Sequence, residues 1–286
     1  MAKTVKKLRR RIPFWARVLI VFGVAALVFG GIVLAVYSTG LRYIVCTRTD
    51  GSKVKYLGTV GENNYPVNGK IFYADGSTAN VRKGTGLVEY SDGSVYEGSL
   101  SVCFERTGTG KYLLASGEKY EGEFSANKMS GKGKYQFING DVYEGDLVDN
   151  TMEGFGTYTY ADGEIYSGSF KAGLREGKGE MTRPDGSYFL GTYKNGLKNG
   201  HGISKIAKYD AEAGIYRLDT YEGDFVNDMR EGKGVYTWAN GESYEGDFAR
   251  NNMNGYGTYT WVDGRAAYTG YFVNGEIVLV DPEKTE

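Results

Sequence analysis

Few residues of this sequence could form a catalytic centre. The 286-residue chain contains one histidine, His201, which stands between Gly200 and Gly202. A hydrolase or transferase usually needs an acid, a base and a nucleophile that converge on the substrate. Because His201 occupies a variable position between two glycines of a repeated element, we expect a surface histidine at a loop edge. The sequence therefore predicts a protein that is not an enzyme.

Metal and cofactor sites are not indicated either. Cys46 and Cys103 do not belong to a cysteine and histidine cluster with zinc-ligand spacing. They are read as two independent thiols, with an intermolecular disulfide through Cys46 as the alternative. The Gly-x-Gly elements lack the third glycine and the helix of a dinucleotide-binding loop. We expect no metal, no cofactor and no small-molecule ligand.

A ladder of acidic residues recurs through the chain and could collect cations. Pairing with lysines of the adjacent strand is the simpler interpretation. The ladder comprises Glu97, Glu121, Glu144, Glu222 and Glu245, with Asp146, Asp224 and Asp247.

The composition points to short strands and tight turns. Glycine accounts for 44 residues, about twice its roughly 7% average usage, while proline accounts for 4 and tyrosine for 25. The glycines have no three-residue period, which excludes a collagen-like chain, and the abundant aromatics argue against disorder. The chain is predicted to be β-rich and repetitive.

An internal repeat dominates the sequence. A Tyr-x-Gly-x-aromatic or Leu element occurs eight times, and its central glycines step by 24, 23, 23, 23, 32, 23 and 24 residues. A Gly-x-Gly element alternates with it, and an Asp-Gly, Asn-Gly or Ser-Gly pair lies between the two. Such pairs between alternating segments are the strongest short-range hairpin signal. The eight elements are Tyr96–Leu100, Tyr120–Phe124, Tyr143–Leu147, Tyr166–Phe170, Phe189–Tyr193, Tyr221–Phe225, Tyr244–Phe248 and Tyr268–Phe272.

The period of two places rings and glycines on the same face of each strand. Tyr244, Gly246 and Phe248 share one face, so we expect neighbouring rings to lie over the glycines. A single hairpin cannot bury these rings, and each hairpin must therefore stack on its neighbours.

The pattern Tyr-Glu-Gly-Asp-Phe, Met-x-Gly-x-Gly-x-Tyr and Asp-Gly resembles the MORN repeat. The resemblance covers residues 84–272 in eight copies, and degraded copies precede them around Gly58 and Gly69. It implies an elongated, twisted antiparallel sheet used for partner binding, self-association or membrane attachment, without catalysis. The expected fold class is all-β, an elongated single-layer antiparallel β-hairpin repeat solenoid, preceded by one transmembrane α-helix.

Two departures interrupt the register of the repeat. The step of 32 adds nine residues and predicts a longer, protruding hairpin at 203–220. In the preceding copy, Met181 and Arg183 replace the usual aromatics, and Pro184 precedes the turn. The aromatic face is expected to be interrupted there.

An uncharged apolar run, Val18 to Tyr37, is long enough to cross a bilayer as a helix. Trp15 and Tyr37 stand at its ends, where aromatic rings favour the headgroup level. A cleaved signal peptide, with Ser38 and Gly40 near the cleavage site, is the alternative.

Charge predicts the orientation of this span. Residues 1–17 hold seven bases and no acid, and removing these from the chain's 34 bases leaves 27 against 35 acids. The positive-inside rule places the amino terminus in the cytoplasm and the repeats outside it, in a single-pass protein of the cell membrane. The acidic body argues against nucleic acid as a partner.

These predictions divide the chain into five parts. They are a basic cytoplasmic segment (1–17), a transmembrane helix (18–37), juxtamembrane strands with degenerate capping repeats (38–83), the repeat array (84–275), and a terminal strand with an acidic tail (276–286).

The predicted function is a membrane-anchored scaffold that binds a protein partner or its own copy. The alternative is an extracytoplasmic recognition module for a glycan, cell-wall polymer or lipid. The partner is expected on the aromatic face of the carboxyl-terminal copies, which comprises Tyr221, Phe225, Tyr236, Trp238, Tyr244, Phe248, Tyr259 and Trp261.

Overall fold

A computed structural model describes residues 40–62, 65–83 and 86–279. These residues form antiparallel β-strands, which confirms the all-β hairpin-repeat prediction. The predicted transmembrane helix and the basic segment before it lie outside the described residues. Across the described ranges, no helix is long and apolar enough to cross a membrane.

The residues separate into two compact units. The described part of the first unit lies within 40–92 and 100–104, and that of the second within 93–99 and 105–279. In the first unit β1 to β5 pair in sequence order. These strands are β1 (Leu41–Thr47), β2 (Lys53–Val60), β3 (Pro66–Phe72), β4 (Thr78–Val81) and β5 (Leu87–Tyr90).

The strands β7 to β21 of the second unit also pair in sequence order. After β6 (Val95–Leu100) the strands are β7 (Arg106–Leu113), β8 (Lys119–Ser125), β9 (Lys128–Gln136), β10 (Val142–Val148), β11 (Thr151–Thr159), β12 (Ile165–Lys171), β13 (Leu174–Thr182), β14 (Tyr188–Lys194), β15 (Leu197–Asp210), β16 (Ile215–Val226), β17 (Met229–Thr237), β18 (Ser243–Ala249), β19 (Asn252–Thr260), β20 (Tyr268–Val273) and β21 (Glu276–Val278).

Two kinds of turn alternate along the second unit. In the Asn139-Gly140 turn only the glycine takes a left-handed backbone, with φ 94°. The Asn139 backbone stays outside that region, and its side chain accepts a hydrogen bond from the backbone N–H of Asp141 at 3.1 Å. The other set consists of two-residue turns in which both residues have a positive φ, as a type I′ hairpin requires. An example is Asp149-Asn150, with φ 51° and 71°. The Asp-Gly, Asn-Gly and Ser-Gly pairs of the sequence do not mark this second set.

Each hairpin lays one aromatic ring across a pair of glycines. Gly145 faces Gly156 on the adjacent strand, and a Cβ on Gly145 would lie 2.5 Å from Tyr143 Oη. The Tyr143 hydroxyl donates to the Asp146 carbonyl at 2.7 Å, and the side chain is fully buried. The expectation that glycines leave room for rings is confirmed. We call the face of the sheet that carries these rings the inner face, and the opposite face the outer face.

The first unit contains the same arrangement. Tyr56 lies over Gly58 and Gly69, and its hydroxyl donates to the Thr59 carbonyl at 2.8 Å. Tyr56 also stacks on Phe104 with ring centroids 4.9 Å apart. Both cysteines of the chain are free thiols.

Successive repeats of the second unit interlock through edge-to-face aromatic contacts. Tyr143 meets Phe170 of the next repeat at 5.2 Å and 84°, and Tyr166 meets Phe170 at 5.1 Å and 88°. Edge-to-face geometry is a favoured arrangement of aromatic pairs. The Tyr143 ring, which lies on a glycine pair, is therefore covered by the repeat that follows it.

Four members of the acidic ladder, Glu121, Glu144, Asp146 and Asp247, pair with lysines on the outer face as predicted, whereas Glu222 and Asp224 lie beside His201. Lys132 Nζ lies 2.5 Å from Asp146 Oδ1, and Lys233 Nζ lies 2.7 Å from Asp247 Oδ1. The hydrogen bond from the Lys132 side chain is the main reason that the pKa of Asp146 lies below its usual value. These exposed pairs each contribute about 1 kcal/mol or less.

Candidate functional site

Five of the eight predicted partner-binding residues are core side chains. Their exposed fractions are 6% or less, so the expectation of an exposed aromatic ledge is wrong for them. The reason is the interlocking of the repeats, because each ring lies flat on a glycine pair and the next repeat covers it. These five residues are Tyr221, Phe225, Tyr236, Tyr244 and Phe248.

The other three, Trp238, Tyr259 and Trp261, are half-buried on the inner face. With Tyr236 they form a continuous row of four rings, called the aromatic stack below. Centroid distances along it are 4.7 Å from Tyr236 to Trp238, 5.2 Å to Tyr259 and 5.0 Å to Trp261. The guanidinium carbon of Arg265 lies 4.6 Å from the Trp261 centroid and ends the row.

The stack is joined to the base of the long hairpin, β15 and β16, through a buried carboxylate. Asp219 is 2% exposed, and it accepts hydrogen bonds from Tyr236 Oη at 2.6 Å and from the Ala239 backbone N–H at 2.9 Å. Lys208 Nζ lies 2.5 Å away. Burial alone would raise the pKa of Asp219, but the Lys208 and Tyr236 hydrogen bonds outweigh it and lower the pKa.

The long hairpin extends its pairing from Gly200 opposite Phe225 to Asp210 opposite Ile215. Near its tip, Tyr209 and Tyr216 pair across the strands at 5.3 Å while remaining 61% and 56% exposed. Ile215 is also exposed. The inserted residues thus lengthen two strands and carry apolar side chains into solvent.

A cavity of about 410 Å³ opens where the repeat loses its aromatics. Tyr143, Tyr221 and Tyr244 each face another tyrosine across the strands. Tyr166 faces Met181 instead, and Phe189 faces Ser204. Two smaller side chains in successive copies leave the space unfilled.

Sequence reasoning treated this place as an interruption of the aromatic face and missed the cavity. The available signal was the replacement of tyrosine by Met181 and then by Ser204. Arg183, two residues beyond Met181, pairs with Glu164 through its Nε.

His201 lies in the middle of β15, and the expected loop edge is therefore a strand. Its Nδ1 is 3.4 Å from Asp224 Oδ1 and its Nε2 is 3.9 Å from Glu222 Oε1, on the exposed outer face. Within 40–62, 65–83 and 86–279, no group of three or more histidine, cysteine or acidic residues could hold a metal ion. The predicted anchor residues Trp15, Val18 and Tyr37 lie outside the described residues.

Two solved structures resemble the chain only weakly. The TCP domain of SAS-4 (dCPAP) in complex with a proline-rich motif of Ana2 (dSTIL) of Drosophila melanogaster has 16% identity and a TM-score of 0.29, covering 76% of this chain and 97% of that one. Virginiamycin B lyase from Staphylococcus aureus has 11% identity and a TM-score of 0.14, covering 82% and 85% respectively. Both TM-scores are too low to indicate a shared fold. No curated protein matches the sequence.

The MORN repeat model matches residues 120–142, 143–165, 166–188, 189–210, 221–243 and 244–264. The gap at 211–220 covers the turn of the long hairpin and the beginning of its outgoing strand, β16. Repeats of this kind usually mediate interactions with proteins or membrane lipids. This chain therefore carries six MORN repeats, built from the glycine-paired hairpins described above.

Proposed function

We propose that this protein is a membrane-anchored, non-catalytic scaffold that binds a protein partner or its own copy through its carboxyl-terminal repeats. The carrying observation is the aromatic stack, whose Trp238, Tyr259 and Trp261 are half-buried beside the long hairpin. The equivalent rings Phe137, Tyr158 and Tyr160 are half-buried as well, but that row contains no tryptophan. Tryptophan and tyrosine are the residues most enriched at binding hot spots.

The long hairpin supplies a second wall for the partner. Asp219 fixes its base to Tyr236, and Tyr209, Ile215 and Tyr216 expose apolar surface near its tip. Contiguous exposed apolar surface usually marks an interaction site. A partner seated on the stack would therefore meet the inner side of the hairpin, where Ile215 lies, because Tyr209 and Tyr216 alternate to its outer side.

Membrane attachment is proposed from residues 1–37. Seven bases precede an uncharged apolar run of twenty residues, which favours a cytoplasmic amino terminus and repeats on the opposite side. Reporter fusions after Thr49 and at the carboxyl terminus should both read as exported. A cytoplasmic signal from either fusion, or a mature chain that begins near Leu41, would contradict this topology.

The absence of catalysis is proposed from the distribution of reactive groups. The chain's single histidine faces solvent, and its two ring nitrogens lie near the carboxylates of Glu222 and Asp224. A Ser, His and Asp arrangement or a similar centre would need three groups in mutual contact.

Partner binding is tested by cross-linking and capture of the full-length protein from its native membrane, with sedimentation to detect self-association. We expect Trp238→Ala and Trp261→Ala each to reduce capture strongly, because truncating a central aromatic costs about 2 kcal/mol or more of binding. Tyr256→Ala is the matched control, since Tyr256 lies exposed on the outer face of the same strand as Tyr259.

Two results would overturn this assignment. One is capture that persists in both tryptophan variants but is lost on deletion of residues 204–218, which would make the hairpin the whole site. The other is binding of cell-wall polysaccharide or liposomes, rather than protein, with the same dependence on Trp238 and Trp261.

A further inference from the structure

The cavity between Met181 and Ser204 is lined by a concentration of positive charge. Five of its lining residues are basic, and Asp228 is the one acid among the described residues that line it. Beyond residue 17 the chain has an excess of acids over bases, so this local surplus runs against the overall charge. The five bases are Arg175, Arg183, Lys198, Lys205 and Arg230, of which Arg183 is paired with Glu164 outside the lining.

Three of these bases occupy one position of the repeat. Arg175, Lys198 and Arg230 each pair across the strands with the residue that ends the Tyr-x-Gly-x-aromatic element. Methionine occupies the same position in other copies, at Met129, Met152 and Met253. The replacement of methionine by a base in three successive repeats places all three bases in the lining of the cavity.

The guanidinium groups retain donors after their contacts within the protein. Arg175 donates a hydrogen bond from Nη2 to the Gly196 carbonyl at 2.6 Å, and Arg230 donates one from Nη2 to the Asn251 carbonyl at 2.7 Å. Each guanidinium has five N–H donors, and each of these bonds uses one of them. The Arg175 guanidinium also lies 5.0 Å from the Tyr193 centroid, and that of Arg230 lies 4.7 Å from the Tyr236 centroid. The planar fork matches the oxygens of a phosphate or carboxylate.

The Lys198 ammonium has no hydrogen-bond acceptor within the part of the chain that the structure describes. It lies instead over two rings, 4.5 Å from the Phe189 centroid and 5.7 Å from that of Phe225. Burial, followed by the charge of Arg183, lowers the pKa of Lys198, while Asp228 opposes this shift. A half-buried ammonium that rests on aromatic faces is well placed to accept an anion.

The remaining lining is apolar and contains one unusual hydroxyl. Phe189, Phe225, Met181 and Ile206 supply apolar surface. Tyr193 stands where other repeats have phenylalanine or leucine, and its buried hydroxyl has no hydrogen-bond partner in the structure. A buried hydroxyl normally has a partner, so a ligand group is one way to satisfy it.

We propose that this cavity binds a small soluble phosphate monoester, with its phosphate held by Lys198, Arg175 and Arg230 and its organic part against Phe189 and Phe225. A phosphate monoester carries about −1.5 to −2 charge at neutral pH, which suits a surplus of several bases better than a single carboxylate does. The volume is within the range of small-molecule sites, roughly 300–1,000 Å³. This goes beyond the scaffold function and departs from the expectation of no small-molecule ligand.

The test is calorimetric titration of the full-length protein, in detergent, with phenyl phosphate. We expect saturable binding with a Kd of about 1 mM or tighter. Lys198→Met and Arg230→Met should each weaken it about tenfold or more, as expected for loss of a charge-assisted contact. Both install the methionine that other repeats carry, so the hairpins should still form.

Arg106→Met is the matched control, because Arg106 is a base of the equivalent strand segment in β7 and does not line the cavity. It should bind phenyl phosphate like the unaltered protein. Ser204→Tyr restores the repeat's tyrosine, fills the cavity and should abolish binding. If that variant fails to fold, the two methionine variants still decide the question.

The alternative ligands separate by competition. Phenol should fail to compete and inorganic phosphate should compete weakly, because each carries only half of the recognised chemistry. Phenyl phosphate should displace vesicles that contain phosphatidate. Absence of phenyl phosphate binding, equal binding by the methionine variants, or vesicle binding that phenyl phosphate does not displace would overturn the proposal.

Discussion

The glycine opposite each ring offers a direct test of how the repeat is packed. In Gly156→Ala the new Cβ would lie 2.5 Å from Tyr143 Cε2, 2.6 Å from its Oη and 2.7 Å from its Cζ. The backbone of Gly156 is outside the left-handed region, so alanine itself is tolerated there. The steric conflict is therefore with the Tyr143 ring, which must leave its position.

Displacing that ring is costly because it is fully buried. The ring would lose its contacts with the glycine pair and with Phe170, and its hydroxyl would lose the 2.7 Å hydrogen bond to Asp146. Removing a buried aromatic costs about 3–5 kcal/mol. Replacing glycine by alanine where the backbone allows it stabilises by about 0.4–1 kcal/mol through the unfolded state. We expect Gly156→Ala to lower the free energy of unfolding by about 3 kcal/mol, the difference between these two effects.

A double-mutant cycle isolates the ring as the cause. In a Tyr143→Ala background the ring is absent, and Gly156→Ala should then stabilise the protein by about 0.4–1 kcal/mol, which gives a coupling energy of about 4 kcal/mol. Urea unfolding measures the total, and hydrogen exchange of β10 and β11 measures the local effect in an array whose repeats contact mainly their neighbours.

Gly117→Ala is the control for the cost of a glycine substitution alone. Gly117 has φ 97°, and no other atom lies within 4 Å of the position that an alanine Cβ would take. Only left-handed strain of about 1–2 kcal/mol is therefore expected. If Gly156→Ala costs the same with and without the Tyr143 ring, the ring does not occupy the glycine pair and the packing argument fails.

Three further outcomes follow from the same contacts. Tyr193→Phe should raise the free energy of unfolding by about 1 kcal/mol, because it removes a buried unpaired hydroxyl; a destabilised variant in urea unfolding would show that the hydroxyl is satisfied. Burial raises the pKa of Tyr120, Tyr143 and Tyr244 to about 12, so the stability that these neutral side chains contribute should be fully present below pH 10 and be lost between pH 10 and about 12. Tyrosinate absorbance that titrates near pH 10 in the folded protein would refute this. Asp219→Asn should cost about 1–3 kcal/mol and speed hydrogen exchange in residues 207–218, since Lys208 loses its carboxylate; unchanged exchange there would mean that Asp219 does not hold the hairpin.

The repeating hairpin and its two faces were predictable from the sequence alone. The spacing of Tyr143, Gly145 and Leu147 follows from the two-residue period of a strand, and the Asn139-Gly140 pair marks a turn without any tertiary information. The long hairpin was also visible as nine extra residues. These features are local, because each depends on residues within one hairpin.

Which of these faces is available depends on the packing of one repeat against the next. Strand periodicity assigns Tyr221, Tyr244 and Trp238 to one face, but it does not say that the first two are covered by a ring of the next repeat. The cavity likewise needs Met181 and Ser204 from successive copies, with Lys198 and Arg230 beside them. Burial depends on contacts between repeats, and the spacing within one hairpin does not carry that information.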